Sequence, residues 1–150
     1  MERPEMIVIE VPSRLVHLDW LQEAAEKIAA LAGFDDDGCL DLGLAVREGA
    51  INAMKHAHAF DASLPVRVEF VVRVDALEIR VLDRGPGFDP EATPDPTAPE
   101  NLLRTSGRGL LLIRSLVDEV RIERRAQGMQ VTLVRARPQP VDGASAGEAG

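Results

Sequence analysis

The chain has 150 residues, 45% hydrophobic and 28% charged, which fits one globular domain with an aliphatic core. A net charge of −8 and only 3% aromatic residues argue against nucleic-acid binding, which draws on basic clusters and stacking rings, and suit a basic protein partner better. The single cysteine, Cys39, excludes an internal disulfide or a cysteine-based zinc site and suits a reducing cytoplasm. No signal-peptide core or membrane-length apolar run is expected.

In chain order, residues 6–11 read as a strand ended by Pro12. Ser13 is a candidate helix cap. Leu15, Leu18, Leu21, Ala25, Ile28 and Leu31 recur at helical spacing, and Gly33 closes that helix. Asp35, Asp36 and Asp37 offer caps for a second helix that would turn Leu40, Leu44, Ile51 and Met54 inward. Gly43 and Gly49 lie inside it, where glycine costs about 1 kcal/mol and often marks a close approach. Val66, Val68, Phe70 and Val72, then Leu77, Ile79 and Val81, alternate about Asp75-Ala76 as an antiparallel hairpin. Residues 88–106 hold Pro90, Pro94, Pro96 and Pro99, a length and composition expected of a lid or binding loop. Helical periodicity returns over 107–120, followed by strands at 120–125 and 129–135. Arg121 and its basic neighbours read as the outer face of a strand. Residues 6–136 form the expected domain, and 137–150 the composition of a disordered tail. The order β-α-α-β-β-loop-α-β-β predicts an α+β two-layer sandwich, a mostly antiparallel sheet with three helices on one face.

Three separated segments carry groups suited to a nucleotide. Glu48 and Asn52 are four apart and share a helix face, a pair suited to a hydrated magnesium ion and a general base. Asp83 follows a strand and precedes Gly85 and Gly87; its carboxylate can accept from an amino group while the glycines let a flat ring approach. Ser106-Gly107-Arg108-Gly109 opens a helix whose free N–H groups and dipole suit phosphate. Each signal alone is common; their order within one domain-sized span is not. His17, His56 and His58 have no acidic or cysteine cluster at ligand spacing, so no transition-metal site is expected. Lys55 reads equally as a phosphate contact or a solvated side chain.

From about residue 6 to 135 the sequence resembles the GHKL ATP-binding fold shared by gyrase and histidine kinases. Glu48-Gly49-Ala50-Ile51-Asn52-Ala53-Met54-Lys55-His56 looks like its N box. Asp83-Arg84-Gly85-Pro86-Gly87-Phe88 and Gly107-Arg108-Gly109-Leu110 look like its two glycine boxes. Gly128-Met129-Gln130-Val131-Thr132-Leu133 resembles the closing strand and implies Thr132 near adenine. Within that fold the chain is most similar to the anti-sigma-factor serine kinases of RsbW and SpoIIAB type. The wording of residues 52–57 and 116–120 is close to that group, and the domain is expected to stand alone, without preceding dimerisation helices and a phospho-accepting His.

The resemblance implies ATP and Mg2+ as cofactors, Glu48 as base, Asn52 as magnesium ligand and Asp83 as the adenine reader. Thr105 stands before the Ser106-Gly107 pair, so the γ-phosphate arginine is open between Arg104 and Arg108. The implied function is phosphorylation of a serine on a STAS-type anti-sigma-factor antagonist, with a sigma factor sequestered by a homodimer. Alternatives are a non-catalytic ATP-gated binding module, a switch kinase of a stress-signalling complex, and a detached histidine-kinase catalytic domain.

Overall fold

The computed structural model describes residues 3–85 and 109–138. Five strands form one sheet in the order β1-β2-β3-β5-β4. They are β1 (Glu5–Val11), β2 (Val66–Val72), β3 (Ala76–Leu82), β4 (Glu119–Arg124) and β5 (Met129–Ala136). Every pairing is antiparallel. Three helices, α1 (Leu18–Leu31), α2 (Asp36–Asn52) and α3 (Gly109–Leu116), complete the α+β architecture.

Strand alternation decides which side is core. Val66, Val68 and Phe70 of β2 face the helices with Leu77, Ile79 and Val81 of β3 and Leu133 of β5, all at most 2% exposed. The next residue on each strand points the other way. That outer face carries a chain of ion pairs running Glu10, Arg67, Glu69, Arg80, Glu78, Arg73. Burial pushes the Glu69 and Glu78 carboxyls up, but their arginine hydrogen bonds outweigh it and hold both below the ordinary range.

α1 buries Leu18, Leu21, Ala25, Ile28 and Ala29. Leu31, expected inward, is exposed because the next residue, Ala32, takes the core position about 100° around the helix. Gly33 adopts φ +97° just past the end. Ser13 does not cap: its hydroxyl donates to the Leu64 carbonyl at 2.6 Å. Asp35 does cap α2, accepting from the Gly38 amide at 2.8 Å.

α2 is buried along Leu42, Ala45, Val46, Gly49 and Ala50. Leu40 is 49% exposed and Leu44 only half-buried, contrary to the expected inward set. Three of those five residues, Ala45, Gly49 and Ala50, are small, and α2 is packed closely on both sides. A Cβ on Gly43 would lie 2.6 Å from Glu26 Cγ of α1, and one on Gly49 would lie 3.2 Å from Val81 Cγ2 of β3. Both glycines therefore serve packing. The folded body also reaches past residue 136: Arg137 donates to the carbonyls of Ala32 and Arg73, each at 2.7 Å. Residues 139–150, the remainder of the expected tail, and the 88–106 loop lie outside the described residues.

Candidate nucleotide site

α2 delivers Glu48 and Asn52 one turn apart at its C-terminal end, both half-buried. Immediately beyond Asn52 the helix widens into a π turn, Ala53–Ala57, a feature frequent at functional sites. The chain then passes through Ala59 (φ 48°) and Phe60 (φ 58°), left-handed conformations costing about 1–3 kcal/mol each for non-glycine residues. The wrap is held by Phe60 N–H on the Met54 carbonyl (2.8 Å) and His58 N–H on the Ala53 carbonyl (3.1 Å). Lys55 sits on the π turn with its side chain exposed.

The start of α3 rests on this helix end. A Cβ built on Gly109 would lie 3.3 Å from Asn52 Oδ1, Asn52 Nδ2 and Glu48 Oε2. A hydrogen fits there; a side chain would have to displace both groups. Two of the three segments singled out in the sequence thus meet at one point. Gly87, Arg104, Ser106, Gly107 and Arg108 lie outside the described residues.

The third segment is pinned at the end of β3. Asp83 Oδ1 accepts from the amides of Gly85 (3.0 Å) and Met129 (3.1 Å), while Asp83 N–H donates to the Met129 carbonyl (3.1 Å). Burial is the main cause that pushes the Asp83 carboxyl up; the two amides and the charge of His58 oppose it. Gly128, at φ +90°, makes this possible, since a Cβ there would collide with the Asp83 backbone. Gly85 packs on the π turn, with 2.9 Å from its built Cβ to the Ala57 carbonyl oxygen. The stretch from α2 through the π turn therefore touches the α3 start at one end and the Asp83 loop at the other.

Two placements differ from expectation. Thr132 pairs across the sheet with Arg80 and Arg121, on the face away from the helices, and its hydroxyl accepts from Gln130 Nε2 at 3.0 Å. It does not join Glu48 and Asn52; in this strand the contact to Asp83 comes from the Met129 backbone. His58 belongs to the site's frame although its sequence context gave no hint of it. Its ring, 2% exposed, bonds Ser13 Oγ at 2.9 Å and accepts the Arg84 amide at 2.8 Å.

Asn52 and Glu48 supply hard oxygen atoms side by side under the α3 start. That donor set fits magnesium, which takes one or two protein oxygens and completes its shell with phosphates and water. No group of three or more His, Cys, Asp or Glu side chains that could hold a metal occurs among the described residues.

The histidine kinase-like ATPase domain family matches residues 11–135. The chain belongs to this family. Curated relatives named serine-protein kinase RsbW include those of Listeria monocytogenes (31% identity, 79% of each chain), Bacillus licheniformis (34%, 79% of this chain and 78% of the relative) and Bacillus subtilis (30%, 87% and 85%). At that identity and coverage the chain is a member of the RsbW serine-protein kinases. Among solved structures, the RsbU and RsbW domains of a Mycobacterium tuberculosis protein align with TM-score 0.62 at 20% identity. They cover 89% of this chain and are matched over a third of their own length. A blue-light activated histidine kinase of Erythrobacter litoralis aligns with TM-score 0.52 at 22% identity, covering 83% of this chain and 60% of its own. These likenesses concern the fold. No described helix is long and apolar enough to cross a membrane.

Proposed function

We propose that this chain is an ATP- and Mg2+-dependent serine kinase that phosphorylates a STAS-type anti-sigma-factor antagonist and, as a homodimer in the cytoplasm, sequesters a sigma factor. The observation that carries the reading is the meeting of Glu48 Oε2 and Asn52 Oδ1 under Gly109. It puts a carboxylate and a metal-binding oxygen together at a helix N-terminus suited to phosphate.

Phosphoryl transfer depends chiefly on positioning and charge neutralisation. Bound magnesium supplies charge neutralisation at the phosphates, and Asn52 is the residue that would hold it. Asp83 takes the amino group of adenine: two backbone amides fix its carboxylate through Oδ1, which orients Oδ2. Gly85 keeps the loop backbone low enough for a flat ring to approach. The α3 start, with Gly107, Gly109 and Ser106, receives the phosphates, and Arg104 or Arg108 adds positive charge. Lys55, exposed on the π turn, is free to swing toward them. Glu48 accepts the proton of the incoming serine hydroxyl.

The test combines purified protein, γ-labelled ATP with magnesium, and candidate antagonists. Phosphoserine on one antagonist, lost with Glu48→Ala, is the expected result. ATP binding with no label on any partner would instead leave a nucleotide-gated clamp, and undiminished labelling by Glu48→Ala would remove Glu48 from its role.

A further inference from the structure

His58 sits where three separate segments meet. Its Nε2 accepts the Arg84 amide (2.8 Å), and a ring nitrogen that accepts carries no proton. The proton of the neutral ring is therefore on Nδ1, 2.9 Å from Ser13 Oγ. Ser13, 0% exposed, accepts that proton's hydrogen bond and passes its own to the Leu64 carbonyl at 2.6 Å. The relay runs in one direction, from the Arg84 amide through imidazole and hydroxyl to a carbonyl, and it requires neutral imidazole throughout. Arg84 lies between the two residues that define the Asp83 corner.

We propose that neutral His58 is a positioning residue of the nucleotide site, its Nε2 holding the Arg84 amide so that the Asp83–Gly85 loop is set for adenine. This rests on the reading of Asp83 as the adenine acceptor. Doubly protonated imidazole has two donors and no acceptor, so it would face the Arg84 N–H donor to donor. Protonating His58 therefore releases the loop, and nucleotide affinity is lost as the ring gains its proton.

The charged groups facing the ring are Asp83 and Arg84 from the loop after β3 and Asp61 from the turn after the π helix. Burial is the main influence and lowers the ring's pKa. Asp83, the Leu64 carbonyl and Asp61 push it up, and Arg84 pushes it down. With the folded value depressed, the neutral ring's contribution is complete above the unfolded value of about 6.5 and is lost as pH falls through the folded value.

The experiment measures Mg-ADP affinity by calorimetry for wild type, His58→Gln and His58→Phe between about pH 5.5 and pH 8. Gln offers a carbonyl acceptor that does not titrate; Phe fills the space and accepts nothing. At pH 8 Phe is expected to weaken binding roughly tenfold and Gln to recover most of that loss. As pH falls, wild-type affinity is expected to drop relative to His58→Gln, whose curve carries the titration of the nucleotide and of every other group in common with wild type. Nitrogen-15 spectra of the wild type should show the Nδ1–H tautomer. Binding by His58→Phe equal to wild type, a wild-type to Gln ratio constant with pH, or an Nε2–H tautomer would each overturn the proposal. Absence of any Mg-ADP binding by wild type at pH 8 would instead overturn the nucleotide reading beneath it. Should His58→Phe fail to fold, the Gln ratio and the tautomer still decide.

Discussion

The two ends of the candidate site are built differently. At the Asp83 corner, one carboxylate oxygen takes two backbone amides, the same residue's N–H donates to the Met129 carbonyl, and the adjoining Arg84 amide is held by a buried histidine. At the other end, Glu48 and Asn52 stand half-buried beneath Gly109. A corner with the proposed role of base recognition gains from rigidity, because the adenine edge is the same in every turnover and ordering it in advance avoids an entropic cost on binding. Groups with the roles proposed for Glu48 and Asn52, toward a metal, a transferring phosphoryl and a protein hydroxyl, would meet changing partners. Recognition should therefore fail through lost hydrogen bonds at one end, and chemistry through a lost functional group at the other.

The largest effect is expected at the open end. Glu48→Gln keeps size and polarity but cannot take a proton, so phosphotransfer should fall roughly 10²–10⁴-fold while ATP affinity changes little. Single-turnover labelling beside calorimetry checks this; a parallel loss of binding would show that the two ends are not separable. Asp83→Asn should do the reverse. Asn Oδ1 can still accept from Gly85 and Met129, but its amide presents donors to the adenine amino group. A lost hydrogen bond to a charged group predicts roughly 10- to 150-fold weaker ATP binding. The stability sign is opposite to intuition. Burial raises the Asp83 pKa, so its contribution to stability is full below the unfolded value and is lost as pH rises through the folded value. At neutral pH Asp83→Asn should therefore match or exceed wild type in Tm, whereas a lower Tm would mean that the carboxylate charge itself holds the corner.

Gly109→Val tests whether the ends communicate. Its branched side chain would press on Asn52 and Glu48, with overpacking of about 1–3 kcal/mol relieved by moving them apart. Magnesium-dependent ATP binding should weaken roughly tenfold, while adenosine, which on the proposed reading needs only the Asp83 corner, should bind as before. Equal losses for both ligands would show that the displacement travels along α2 to the π turn.

Much of this arrangement is local and so was legible in the sequence. Glu48 and Asn52 share a face because of helical spacing, and Asp83-Arg84-Gly85 announces a turn after a strand. The sheet and hairpin followed from period-two alternation, and the helix caps from Asp35 and Gly33. The parts that were not legible depend on distance along the chain. Ser13 and His58 are 45 residues apart, and nothing near either indicates that a hydroxyl will be drawn from a helix cap to an imidazole. Leu40 and Leu44 looked inward because large apolar residues dominate a periodicity reading. The stripe that does face inward, Leu42, Ala45, Val46, Gly49 and Ala50, holds three small residues, and α2 is squeezed between α1 and β3.

Thr132 gives the smallest expected effect and the clearest contrast between motif and pattern. The motif resemblance put it at adenine. Yet Val131 and Leu133 are apolar while Gln130 and Thr132 are polar, and with Val131 and Leu133 turned to the core, alternation alone sends Thr132 to the other face. There it is buried beneath the outer polar network, its hydroxyl accepting from Gln130. Thr132→Val keeps the shape and removes that acceptor, so it should cost about 1 kcal/mol of stability and leave ATP affinity within a few-fold of wild type. Denaturant unfolding and calorimetry on the same preparation separate the two quantities. A large loss of affinity with unchanged stability would return Thr132 to the nucleotide and require β5 to shift by one residue. That shift would also carry Leu133 out of the core, so the two findings would have to appear together.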